Sequence, residues 1–365
     1  MKKELYTFGL AALSATSLYA QSPLESSHCR LDSVIMSMID NEYSRSIKQA
    51  LNYDANNYLT SMDLLMKMNG EGWMLRERTR YVNNANGMPV EIYGEYFDNE
   101  WLIGTKSTQE YDTRGNCTLV TEYTYDMDTQ QYILMQTKET QYDSQDRVQE
   151  ENNTYYVDNQ IYNIYRTSYE YGTWGVSVEL KSVFSYGAWS ETEKTVYTYD
   201  SKGQLISWDC TYPAGGQWYG MSKQTFAYND QGQMISSDYY NYGNNEPYLS
   251  THSEYAYDAA GNQTVIEMWD GDGFESEKQE FGYDAHNDLV SEKMYMMEYD
   301  WETGERLGLQ LHETIDYYYE CLSSNRLDQV QAERMSQGCQ WIDGQMRIVR
   351  GNSIYDLQGR KLQDR

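Results

Sequence analysis

The residues of this chain that could do chemistry are numerous but not gathered. Four histidines (His28, His252, His286, His312) stand singly, and five cysteines (Cys29, Cys117, Cys210, Cys321, Cys339) lie far apart with no C-x-x-C pair. Structural metal cages and dithiol redox motifs draw on ligands a few residues apart, so neither a metal nor a cofactor is expected. Asp270, Gly271, Asp272 and Gly273 begin like a calcium loop, but no Glu follows at the twelfth position and a turn fits better. No G-x-S-x-G, H-E-x-x-H, Walker loop or G-x-G-x-x-G is present. With 56 carboxylates a pair of the kind glycosidases use could arise by chance, yet nothing singles one out. No catalytic residue is assigned, and the chain does not read as an enzyme. In an oxidising compartment Cys321 and Cys339 could form one bridge, and the odd count leaves at least one thiol free.

The remaining chemistry is aromatic. The chain holds 38 Tyr and 9 Trp. Trp73, Trp101, Trp189 and Trp218 each follow a Gly- or Asn-containing reversal. A row of such rings could stack on sugars or on an extended protein, so these four form a candidate ligand-binding rim. Loop-proximal rings are costly to leave exposed without a use. The competing account is that Tyr and Trp simply suit cross-strand pairs on a half-buried pleated surface.

The rings recur because the chain repeats. Tyr111 to Asn116, Tyr199 to Gln204, Tyr228 to Gln233 and Tyr257 to Asn262 share the pattern Y-[DN]-x-x-G-[NQ]. Degenerate copies start at Tyr53, Tyr81, Tyr142, Tyr171 and Tyr283, so eight intervals span 230 residues, a period of about 29. Asp or Asn after the Tyr can accept from the backbone two residues on, and Gly tolerates positive φ, so the pattern predicts a tight reversal. A second, looser reversal is expected midway, at 69–72, 98–100, 215–217, 243–245 and 271–273. An aromatic residue follows it, then a base about five residues later (Arg78, Lys106, Arg166, Lys194, Lys223). Those bases are expected to pair with acids across neighbouring strands. Strict alternation would put Trp101, Ile103, Thr105 and Tyr111 on one face, with Lys106 and Glu110 on the other.

Two strands of roughly ten residues per unit predict about twenty strands joined as an antiparallel meander. Leu31 to Met38 has some helical content, but the period demands a strand there. Open sheets this wide curl, split or coil. The expected fold is therefore all-β: tandem hairpins in a long meandering sheet, curled or superhelical.

The ends set the compartment. Lys2 and Lys3, a mostly apolar stretch from Leu5 to Leu18, and Ala20 before Gln21 read as a cleavable signal peptide over 1–20. Cys29 has no lipobox before it, and no later apolar run reaches the length of a transmembrane helix. A net charge of −28 disfavours nucleic acid and anionic membranes as partners.

The Y-x-Y-D-x-x-G-[NQ] units resemble the YD repeats of Rhs-type secreted proteins, which form hairpin-built shells. They look still more like hairpin-repeat proteins exported by Gram-negative bacteria that use type IX secretion. The array would occupy 21–319, leaving a tail at 320–365 with two short strands around Gly351 and Asn352. Within it Ile354 to Arg360 is similar to the motif of type IX C-terminal sorting domains; the alternative is a polar cap for the last hairpin. The resemblance implies a protein that is secreted, displayed on the outer surface or held in the periplasm. Binding or adhesion to glycans or host surface proteins is the expected function. A purely structural envelope or matrix component is the second reading, and a carbohydrate-active enzyme the third.

Overall fold

A computed structural model describes residues 29–39, 44–68, 72–98, 100–300 and 302–321, together with four short strands between 337 and 364. The signal segment 1–20 lies outside the described residues. The first hairpins are β1 (Cys29–Ile39), β2 (Ser44–Tyr53), β3 (Leu59–Met68), β4 (Met74–Asn83), β5 (Pro89–Asp98) and β6 (Glu100–Tyr111). They continue through β7 (Cys117–Asp126), β8 (Gln131–Tyr142), β9 (Val148–Val157), β10 (Gln160–Tyr171), β11 (Val176–Ser185), β12 (Ala188–Tyr199) and β13 (Leu205–Ala214). The last are β14 (Gln217–Tyr228), β15 (Met234–Gly243), β16 (Glu246–Tyr257), β17 (Gln263–Asp270), β18 (Glu275–Tyr283), β19 (Leu289–Tyr299) and β20 (Arg306–Cys321). The segment with some helical content, 31–38, is a strand.

Each strand pairs antiparallel with its sequence neighbours, and β1 also pairs with β20. The sheet is thus a closed twenty-stranded barrel, where an open curled or superhelical sheet was expected. Two physical causes favour closure. A ring has no unpaired edge. In addition, β-bulges recur a few residues after the midway reversal in most even-numbered strands, as at Gly104 in β6, Met135 in β8, Thr192 in β12 and Met221 in β14. A bulge bends its strand and sharpens its twist, and the repetition turns the bends into one continuous curve.

The same bulges correct the face pattern. Gly94 opposes Thr105 but Glu95 opposes Ile103, with Gly104 looped between them. Trp101 and Ile103 therefore share a face with Lys106 and Glu110, and Thr105 lies on the other.

The Y-D reversals are five-residue turns, apart from the four-residue turn at 172–175 after β10. In the one after β6, Asp112 Oδ1 accepts from the Arg114 and Asn116 backbone N–H groups, and Gly115 donates to the Asp112 carbonyl. The midway reversals, expected to be looser, are in several hairpins the shorter of the two kinds. Asp158-Asn159, Tyr186-Gly187, Gly215-Gly216 and Asn244-Asn245 are two-residue loops with both residues at positive φ, the geometry that matches the twist of the flanking strands. All Y-D turns lie on one rim of the barrel and all midway turns on the other.

A latch closes the open end of each hairpin at the Y-D rim. The hydroxyl of the last Tyr in an even-numbered strand donates to the first carbonyls of the preceding strand: Tyr111 to Pro89, Tyr171 to Val148, Tyr228 to Leu205, Tyr257 to Met234 and Tyr319 to Leu289, at 2.7–2.8 Å. Tyr81, a degenerate repeat start by sequence, sits two residues before the latch position at the end of β4. Asn83 holds the latch position there, its Nδ2 donating to the Leu59 carbonyl at 2.8 Å. Burial pushes the latch phenols up, Tyr171 to about 12.

Beside the Y-D rim one face is more covered than the other. Tyr169, Tyr197 and Tyr255 are half-buried, while their opposite-face neighbours Glu170, Val196, Glu254 and Ala256 are exposed. Side chains converge on the concave side of a ring, so the covered face is the inward one. Elsewhere strand residues on both faces are mostly half-exposed, as along all of β17 and β18, so among the described residues no second layer covers either face. Closed barrels of 16 to 18 strands already leave an aqueous lumen. On the outer face, Arg78 pairs with Asp63, Lys106 with Glu91 at 2.7 Å and Arg166 with Glu150 at 3.9 Å, as the charge pattern predicted.

The tail forms a separate four-stranded antiparallel sheet of β21 (Gln337–Ile342), β22 (Gln345–Arg350), β23 (Ser353–Tyr355) and β24 (Lys361–Asp364). That is four strands where two were expected. Residues 356–360 of the sorting-like motif lie outside the described residues, as does the Cys339 side chain.

Candidate functional site: an aromatic rim

Trp101, Trp189 and Trp218 are the second residues of β6, β12 and β14, and Trp73 immediately precedes β4, all at the midway-turn rim. Trp101 and Trp189 lie on the outer face, opposite Phe97 and Phe184. Their rings meet those phenylalanines edge-to-face at 5.4 Å. The guanidinium of Arg78 lies 4.3 Å from the Trp101 centroid, and Arg166 stands at the same distance over Trp189. After these two midway turns the base is therefore set against the aromatic ring of the next hairpin, and Lys106 Nζ lies 5.8 Å from the Tyr132 centroid in the same way. One face of Trp101 and of Trp189 is thereby occupied. Trp73, Trp189 and Trp218 remain 36–38% exposed, neither fully buried nor free-standing.

The rim holds more apolar surface than the tryptophans. Phe97, Met127, Tyr132, Val157, Ile161, Tyr162, Tyr248, Phe274 and Tyr299 are exposed at or beside midway turns. Tyr162 is 70% exposed, and Tyr186 is fully exposed at 107%. The Y-D rim has few exposed large apolar residues, Val82 and Val196 among them. Tyr186 is the clearest residue that sequence reasoning missed. It holds a φ of 52° at the turn tip, a conformation that costs a bulky residue about 1–3 kcal/mol. Its signal was available: Tyr186-Gly187 replaces the Gly-Gly, Asp-Asn and Asn-Asn pairs of sister turns. Acids flank the rings, including Asp98, Asp126, Asp158, Glu191 and Asp272.

Inside the barrel, Glu292 and Glu313 line a cavity of about 20 Å³ with Gln279, Met294 and Ile315. That volume holds a single water and no sugar ring. Burial raises both carboxyls above the usual carboxylate range, and the Tyr317 hydroxyl donates to Glu292 at 2.6 Å. On the outer face, His252 Nδ1 lies 2.6 Å from Asp238 and the ring packs on Trp269. Among the described residues no group of three or more His, Cys, Asp or Glu is arranged to hold a metal ion. Cys117 and Cys210 are free thiols.

No family model matches the chain, and no curated protein matches it. Solved structures give faint likenesses. A porin-like protein from Bacteroides uniformis is 10% identical over 80% of this chain and 98% of its own, with a TM-score of 0.34. A protein of unknown function from Bacteroides fragilis is 15% identical over 33% of this chain and 89% of its own, at 0.28. The Photorhabdus luminescens Tc holotoxin pore is 11% identical over 87% of this chain and 17% of its own, at 0.26. Scores this low carry no argument about this chain.

Proposed function

We propose that this protein is exported, that its units are YD-type hairpin repeats, and that it binds glycans or host surface proteins through its aromatic rim. The observation that carries this is the asymmetry of the barrel: exposed aromatic and apolar side chains concentrate at one rim, with a strained, fully exposed Tyr186 at a turn tip. Tyrosine suits such a surface, because its ring packs on apolar or sugar faces while its hydroxyl stays wet. The nearby carboxylates would accept hydrogen bonds from a ligand's hydroxyls.

Charge on both barrel faces supports an aqueous setting rather than a bilayer. Arg78, Arg80, Glu95 and Lys106 stand on the outer face, and Lys138, Glu151, Glu179 and Lys181 on the inner one. An Arg or Lys facing lipid at the midplane of a membrane barrel costs about 2–4 kcal/mol, and a lipid-facing band would have to accommodate several.

The Arg-covered rings of Trp101 and Trp189 favour a second reading for those two residues, as stiffeners of a structural component. Substituting Tyr162→Ser and Tyr186→Ser together, at 70% and 107% exposure, separates the readings. Binding to a glycan array or to host-cell surfaces should fall at least tenfold with an unchanged melting temperature. Unchanged binding would refute the rim as a site.

A further inference from the structure

One contact in the ring differs from the rest. Most neighbouring strands are joined by a short reversal, but β1 and β20 meet with nearly the whole barrel between them in sequence. Bringing such distant segments together carries the largest loop-closure cost in the fold. At this seam the backbone register sets Cys29 opposite Cys321.

The register depends on one bulge. Ser33 opposes Tyr318, whereas Leu31 opposes Tyr319, so Asp32 is looped out. Without that extra residue, Cys321 would face Arg30. The bulge is held firmly. Leu31 and Ser33, on either side of it, are fully buried, each 2% exposed. The Tyr53 hydroxyl donates to the Leu31 carbonyl at 2.9 Å. Directly opposed residues of an antiparallel pair have Cα atoms about 4.5 or 5.5 Å apart, and both spacings fall within the 4.4–6.8 Å that a disulfide spans.

We propose that Cys29 and Cys321 form a disulfide that clasps the seam of the barrel. The two thiols give up two protons and two electrons to the disulfide of a thiol–disulfide oxidant, which leaves as a dithiol. Meeting such an oxidant in the cell rests on the export proposed above. Cys117 and Cys210 are poor competitors, because burial raises both thiols and lowers their thiolate fraction. The rival partner for Cys321 is Cys339.

The test uses full-length protein, reduced and then equilibrated in a glutathione redox buffer, so its outcome does not depend on export. Free thiols are alkylated, the protein is digested without reduction, and linked peptides are identified by mass spectrometry. A Cys29–Cys321 peptide is expected, with Cys117, Cys210 and Cys339 alkylated. Reduction should lower the urea midpoint of the wild type and leave that of Cys29→Ser unchanged, while Cys339→Ser should retain the link. A Cys321–Cys339 peptide, or alkylation of all five cysteines, would overturn the proposal. Protein isolated from the envelope or medium then reports separately on export: an intact Met1 would refute export without touching the register.

Discussion

Removing the hydroxyl from the tyrosine latches should weaken the barrel by a predictable amount. Tyr111, Tyr171 and Tyr228 each donate to a backbone carbonyl at 2.7–2.8 Å, from half-buried positions in hairpins separated from one another by a full hairpin. Tyr→Phe keeps the ring and its packing and deletes that bond, at Tyr111 together with the 2.6 Å contact between its hydroxyl and Gln109 Oε1. A net hydrogen bond is worth about 0.5–1.5 kcal/mol, and a half-buried carbonyl left without its partner adds to the loss, so each change should cost about 1–2 kcal/mol. Sites this far apart without shared partners add, and the triple variant should lose about 3–6 kcal/mol. Urea denaturation followed by far-ultraviolet circular dichroism measures the sum. Hydrogen exchange measures its distribution: a ring without edges predicts that protection falls around the whole barrel, beyond the substituted hairpins. If each Tyr→Phe costs under 0.3 kcal/mol while Tyr→Ala costs the 3–5 kcal/mol of a lost aromatic, the rings act by packing alone and the latch is refuted.

Other expectations follow from particular residues. Gly203 has a φ of 84°, and a Cβ there would stand 2.6 Å from the Trp174 ring, whereas at Gly232 the nearest atom is the flexible Gln204 amide at 3.4 Å. Thermal melts should therefore show Gly203→Val as the costlier substitution, with Gly232→Val near the 1–3 kcal/mol of backbone strain alone; the reverse order would contradict the turn packing. Glu292 is raised by burial, so folding favours its protonated form, and that stabilisation is present below the unfolded carboxyl value and lost as pH rises through the raised one. Glu292→Gln, which can still accept from Tyr317, should raise the melting temperature at pH 8 and leave it nearly unchanged at pH 4. For the latch phenols, stability is present below the ordinary tyrosine value and lost as pH climbs through the raised one. The 295 nm absorbance difference between the wild type and Tyr171→Phe should show a phenol ionising near pH 12, with unfolding in the same range. Edman sequencing of exported protein should start at Gln21.

Local features of this chain were legible because local chemistry fixes them. Asp112 and Gly115 make a turn wherever that pattern is placed, and alternating aromatics such as Tyr197 and Tyr199 need a pleated strand, so the repeat, its period and its all-β content followed from neighbours in sequence. The positions of Trp73, Trp101, Trp189 and Trp218 at one rim followed too, since each sits beside a reversal. Asp54 and Asn84 open the same turn as Asp112, but only the fold shows that Asn83 does the work of a latch tyrosine. Bulges at Gly104 and Met221 cannot be read from alternation, because they exist only against a partner strand, and the one at Gly104 reversed the face expected for Trp101. Arg78 was recognisable as a paired base, yet its stacking on Trp101 joins residues of separate hairpins. Closure was decided at the greatest distance of all. Nothing near Leu31 or Tyr319 in the chain announces that they face each other, because pairing of first and last strands depends on the twist and bend accumulated through the eighteen strands between them.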